Sequence, residues 1–176
     1  MKRRLRENGL LLVNLALFLV FLVGMALTGW QVANEQLLEH GAPAETFIQF
    51  LASGDFGEAV FENWESEFLQ MGAYVVLTIF LFQKGSAESK PLDEPSPQDE
   101  DPRRHAKDAA APWPVRHGGF VLVLYENSML ILFALLFAAS FAAHAISGAA
   151  AYSEEQALHG LPGTSPVKYL GTSQFW

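Results

Sequence analysis

Two histidines and three glutamates stand just beyond two apolar runs: Glu35 and His40 after the first, Glu154, Glu155 and His159 after the second. Imidazole with carboxylate is ligand chemistry for zinc or a similar ion, so these five are candidate metal ligands. No compact metal motif such as H-E-x-x-H accompanies them. If Ser153–His159 is helical, Ser153 can cap it, and Glu155 and His159 then share a face. Gln36 and His40 occupy the corresponding places in the first stretch, where Glu35 and Glu39 share a face. The plainer expectation is a short surface helix, with Gly41 or Gly160 at the left-handed position beyond its end and Pro43 or Pro162 stopping it.

His144 is the one ionisable side chain well inside an apolar stretch, and Met25 occupies the matching place in the first. A Met and a His could be axial haem ligands. The simpler reading is a neutral His144 hydrogen-bonded to a neighbouring helix, with Asn14 doing the same on the first helix. Trp64 with Glu65 and Glu67 could suggest paired catalytic carboxylates, but an interfacial Trp with acids near a helix start accounts for them. No phosphate-cradling glycine loop, nucleophile–base pair or basic nucleic-acid surface is present, and no catalytic residue or cofactor is expected. The absence of cysteine excludes disulfides and thiolate chemistry.

The elements that carry these residues are membrane-like. Leu10–Thr28 is nearly charge-free and long enough to cross a hydrocarbon core of about 30 Å as a helix. Tyr125–Ser147 carries one acid, Glu126, at its start. Phe68–Phe82 reaches spanning length if its helix begins near Phe61, where Phe61, Trp64 and Phe68 form an aromatic entry. Backbone groups in lipid must be satisfied within the segment, so these stretches are expected as helices over 10–30, 61–83 and 120–148. The basic start, M-K-R-R-L-R, could begin a signal peptide, but the apolar run is too long and no small-x-small site follows, so an uncleaved helix is expected.

Eleven Lys and Arg set the topology. Four lie in the first six residues, six lie between Lys84 and Arg116, and Lys168 is the last. Residues 31–67 hold none, but carry eight acids. The bias of bases to the cytoplasmic side places the N-terminus and residues 84–118 inside, and loop 31–60 and the tail 149–176 outside. The inside linker is rich in Pro and mixed charge and is expected to be disordered.

Displacing the chain by 119 residues aligns it with itself without a gap. E-N-G-L-L meets E-N-S-M-L, Leu17-Phe18 meets Leu136-Phe137, Gly29 meets Gly148 and Glu35 meets Glu154. H-G-A-P meets H-G-L-P, Leu51 meets Leu170 and Phe56 meets Phe175, thirteen identities in fifty-one positions. A fixed-offset match of this kind argues duplication, and both copies start inside, as parallel repeats do. The expected fold is an all-α membrane protein. Its three transmembrane helices come from a duplicated helix–loop–helix unit: a first unit over 1–83, a linker over 84–118, and an incomplete second unit over 119–176.

The stretches F-E-N-W-E-S-E-F-L-Q (61–70), Q-K-G-S-A-E-S-K-P (83–91), E-E-Q-A-L-H-G and Y-L-G-T-S-Q-F-W resemble an uncharacterised bacterial multi-pass membrane protein family, a domain of unknown function. The resemblance implies two helix–loop–helix units, the later one running on into a further N-W-x-S-E-F helix that this chain lacks. It implies no activity. Small residues at helical spacing form a seam on the last helix (Ala134, Ala138, Ala142, Ala145, Ala149) and a weaker one on the first (Ala16, Val20, Gly24, Thr28), which are expected to pack together.

The resulting expectation is an inner-membrane structural or accessory protein. Its partners would be the bilayer and either a second copy or another membrane protein supplying the missing helix, with no nucleic acid. The alternatives are a small transporter or ion-conducting assembly, and an outer-face metal or haem protein.

Overall fold

A computed structural model describes residues 6–86, 89–91 and 99–176. Among these the regular elements are all helical. They are α1 (Gly9–Glu39), α2 (Phe47–Leu51), α3 (Gly54–Phe80), a 3-10 turn (Pro102–His105), α4 (Trp113–His117), α5 (Gly119–Glu126), α6 (Ser128–Leu158) and α7 (Pro166–Tyr169). They fall into two units. One comprises Met1–Val60 and Ala143–Trp176, the other Phe61–Ala142.

Helices α1 and α6 each contain 31 residues and are long and apolar enough to cross a membrane. Both run past the ends expected at 30 and 148. Gln31–Glu39 and Ala149–Leu158 contain no proline or glycine, so nothing interrupts the i→i−4 ladder until the Gly-x-Pro beyond. There the two helices end alike. Ala42 N–H donates to Leu37 O at 2.8 Å and Gly41 N–H to Leu38 O at 3.0 Å; Leu161 N–H donates to Gln156 O at 2.9 Å and Gly160 N–H to Ala157 O at 3.0 Å. This is the Schellman arrangement, and it needs the left-handed residue that Gly41 (φ +73°) and Gly160 (φ +70°) supply. The separate surface helix expected over 153–159 is therefore the last part of α6, and Ser153 is not its cap.

Ser153 instead holds the following loop. Its Oγ accepts from Thr164 N–H at 2.9 Å and donates to Ala149 O at 2.6 Å. Asn34 does the same after α1, its Oδ1 accepting from Glu45 N–H at 2.7 Å and its Nδ2 donating to Glu45 O at 3.1 Å. The chain then makes one short capped helix in each place. Thr46 and Gln49 form a capping box at the start of α2, and Ser165 caps α7 through Lys168 N–H. Each short helix inserts one buried aromatic residue, Phe50 (3% exposed) or Tyr169 (1%), against a glycine of the long helix. A Cβ at Gly29 would lie 2.8 Å from the tip of Phe50, and one at Gly148 would lie 2.9 Å from Tyr169 Cζ. Phe56 and Phe175 close the two packings with ring centroids 5.7 Å from Phe50 and from Tyr169.

Helix α3 begins at Gly54, seven residues before the expected start, and ends at Phe80 rather than 83. Its first turn lies directly on α6. A Cβ at Gly54 would meet Ser147 O at 2.7 Å, and one at Gly57 would meet Ser147 Cβ at 2.8 Å. Close approach of α6 thus uses Ser147, Gly148 and Ala151. On α1, a Cβ at Gly24 meets nothing within 4 Å, so the expected closure of the α1 seam does not occur at that glycine.

In the second unit, Phe68, Gly72 and Val76 of α3 and Leu130, Phe133 and Phe137 of α6 line an apolar groove. Asn127 interrupts the helix expected over 120–148, its Nδ2 donating to Val123 O at 2.9 Å in the local competition with the backbone typical of Asn. The linker expected to be disordered falls partly on 87–88 and 92–98, which lie outside the described residues. Its later part is folded: Pro102–His105 turns, and α4 and α5 bury Val115 and Leu122.

Candidate functional site

Within the first unit, the ends of α1 and α6, the start of α3 and the tail after α7 enclose a cavity of ≈ 410 Å³. Its polar wall carries Glu39, His40, Asp55, Glu58, Glu155 and His159, and its aromatic wall carries Tyr152 and Tyr169. A second cavity of ≈ 290 Å³ shares Asp55 and Glu155 with it and adds Glu45 and Glu154.

The two histidines meet. Their ring centroids are 5.2 Å apart with the planes at 83°. Each is the residue between the last helical turn and the left-handed glycine, so the matching helix ends aim them at one another. His40 Nδ1 lies 2.9 Å from Gln36 O. A carbonyl only accepts, so Nδ1 bears a proton, and in the neutral ring the lone pair is then on Nε2.

The close crossing at Gly54 and Gly57 brings in two carboxylates that the sequence did not single out. Asp55 and Glu58 follow these glycines at helical spacing and face the same cavity. Glu58 accepts a short hydrogen bond from the Tyr169 hydroxyl. Nothing in Asp55 or Glu58 distinguished them from the other acids of 31–67; the nearest signal was the Gly54-x-x-Gly57 spacing, which permits close helix contact.

Crowded carboxylates with few bases raise one another's proton affinity. Residues 31–60 contain no Lys or Arg, and 143–176 contain only Lys168. Desolvation pushes the Asp55 carboxyl up from its ordinary value, and Glu155 adds to it. Desolvation, then Asp55, raises Glu154, while Glu45 is raised by desolvation, Asp55 and Glu154 in that order.

Of the five candidate ligands, the structure brings His40, His159 and Glu155 to one cavity. Glu154 lines the neighbouring one, and Glu35 is exposed on α1 and lines neither. Among the described residues no three carboxylate or imidazole groups already converge as a metal-binding group. The other pair is apart from this site. Met25 is half-buried on α1. His144, 1% exposed, is stacked on Phe175 with centroids 4.4 Å apart at 20° and lies edge-on to Tyr169 at 6.5 Å.

The class these features define is an all-helical chain with two helices capable of crossing a membrane and a carboxylate–imidazole cavity in one of its two units. Residues 1–176 match the family described as a domain of unknown function, DUF6766, and the chain belongs to that family. No curated protein and no solved structure matches it.

Proposed function

We propose that this is an integral membrane protein of structural or accessory kind, crossing the bilayer by α1, the apolar second half of α3, and α6. The observation that carries the reading is the bareness of the long helices. Only 6% of the most apolar window of α1 and 17% of that of α6 is buried. Leu10 (79% exposed), Phe21 (71%) and Leu135 (64%) stand open over much of their length. Water would not tolerate such faces, whereas lipid or a partner helix would cover them. At about 1.5 Å per residue, a 31-residue helix crosses the hydrocarbon and leaves its polar last turns beyond it.

The spans carry few polar groups, which favours an accessory role over a conducting one. Two matching sets of helix, Schellman end, loop pin and buried aromatic, each displaced by 119 residues, support descent from a duplicated unit. The base-free, acid-rich stretch 31–67 against the basic N-terminus and linker supports an inside N-terminus in a bacterial inner membrane.

The cysteine-free chain makes the test direct. Single cysteines at Ala42, Leu161 and Ala106 are labelled with a membrane-impermeant maleimide in intact cells. Ala42→Cys and Leu161→Cys should react, and Ala106→Cys should react only after permeabilisation. Labelling of residues 42 and 161 from opposite sides would refute the topology. Crosslinking in membranes addresses the accessory role, which predicts a partner band; a protein that stays monomeric at every crosslinker concentration contradicts it.

A further inference from the structure

The histidine pair at the helix ends is the cavity's most informative feature. Two imidazoles bound to one tetrahedral ion at metal–nitrogen distances of about 2.0–2.1 Å place their ring centroids about 5 Å apart. His40 and His159 stand at 5.2 Å. Hydrogen bonding of His40 Nδ1–H to Gln36 O is the support that metal-bound imidazoles characteristically have, and it leaves Nε2 as the ligand atom. Glu39, Asp55 and Glu155 of the same cavity are available to neutralise a dication, and among the described residues no Lys or Arg lines it. Glu58 is already engaged by the Tyr169 hydroxyl.

We propose that His40 and His159 together bind one divalent transition-metal ion of the zinc class, with Glu155 as third ligand and water completing the shell. Glu155 lies one turn before His159 on the same face and is exposed, so a rotamer change brings its carboxylate to the pair. Imidazole and carboxylate together select such an ion over calcium or magnesium, which prefer all-oxygen shells. The ion would tie the end of α1 to the end of α6. This inference stands apart from the membrane topology, since it needs only the geometry of the first unit.

The full-length protein in detergent, stripped with EDTA and desalted, is titrated with zinc chloride by calorimetry. One ion per chain is expected. His40→Asn and His159→Asn should each weaken binding at least about tenfold, the scale on which even outer-shell partners act. Glu35→Gln, at a residue outside both cavities, should leave it unchanged. Equal affinity in the double histidine variant overturns the proposal, because the carboxylates alone would then hold the ion; so does the absence of zinc binding. Should the variants lose helix content by circular dichroism, cobalt bound to the unmutated protein decides. Intense visible bands of a four-coordinate ion are expected, and the weak bands of a six-coordinate ion overturn the site.

Discussion

Residues 25–56 and 144–175, which lie 119 positions apart, share a structural frame and differ in what fills it. The frame is shared: a glycine beneath a buried ring, a polar side chain pinning the loop, a Schellman end with a histidine, and a capped short helix. The fillings differ. Where the first stretch has Met25, Gln36 and Phe50, the second has His144, Glu155 and Tyr169. These three exchanges make the second stretch more polar or more ionisable, whereas Glu39, Glu45 and Asp55 of the first correspond to Leu158, Thr164 and Gln174, so more of the carboxylates lie in the first. Tyr169 uses its hydroxyl to hold Glu58 across 111 residues of sequence, a bond that Phe50 has no atom to make. The frame is thus a packing solution that tolerates replacement of its contents, and the ionisable groups of the cavities are divided between the two stretches.

The largest effects should come from the glycines that let the elements touch. Gly54→Ala sets a methyl 2.7 Å from a backbone oxygen of Ser147, and backbone cannot yield as a side chain can. Overpacking typically costs about 1–3 kcal/mol, and this variant should lie at or above the top of that range. Gly148→Ala should come next, because its methyl would meet Tyr169 and approach Glu58 Oε1 at 2.9 Å, disturbing their bond. Gly29→Ala meets only the tip of the Phe50 ring and should lie lowest. Thermal unfolding followed by circular dichroism in detergent gives the order. If Gly29→Ala proves as harmful as Gly148→Ala, the two packings are equally rigid and the contrast drawn between them fails.

Tyr169→Phe converts the second ring into the first. It leaves a half-buried Glu58 without its hydroxyl donor, a loss of about 1.5–3 kcal/mol for a hydrogen bond to a charged acceptor. Glu58→Gln alone and the double variant complete a cycle whose coupling measures the pair. Coupling near zero would show that the aromatic packing, common to both stretches, does all the stabilising.

Much of this comparison was legible beforehand because it rests on residues with strong local rules. Glycine followed by x-Pro marks a helix end whatever lies around it, and an apolar run of spanning length marks a helix. The equivalence of Gly29 with Gly148 and of Phe56 with Phe175 follows from spacing alone. Gln31–Glu39 was expected to hold a separate short surface helix within the outer loop, and it instead continues α1, because polarity marks departure from lipid, not departure from helix. Ser153 looked like a cap by type, but a serine on a helix can equally reach its own i−4 carbonyl, as it does here. Asp55 and Glu58 joined the site through the contact of α3 with α6, which depends on atoms far apart in sequence. That contact is visible in the chain only as two glycines three residues apart. The histidines were grouped by type, and their meeting depends on the two helix ends facing one another, which no local rule supplies.

The mildest prediction concerns pH and tests whether the carboxylates set the two stretches against each other. Asp55 is raised by desolvation and then by Glu155, Glu154 by desolvation and then by Asp55, so the first and second stretches repel across the shared wall. A carboxyl with higher proton affinity in the folded state binds more protons there than in the unfolded chain. Stability must then fall as pH rises from the ordinary carboxylate range through the raised folded value. With chelator present, melting temperature should decline as pH rises above the ordinary carboxylate range of about 4. Other groups titrate there too, so the informative quantity is the difference from Asp55→Asn/Glu154→Gln. That variant should show a shallower decline and should be the more stable of the two at neutral pH. A wild-type curve that rises more steeply than the variant's would mean that these acids are stabilised as anions, and the two stretches would be held together at this wall, not forced apart.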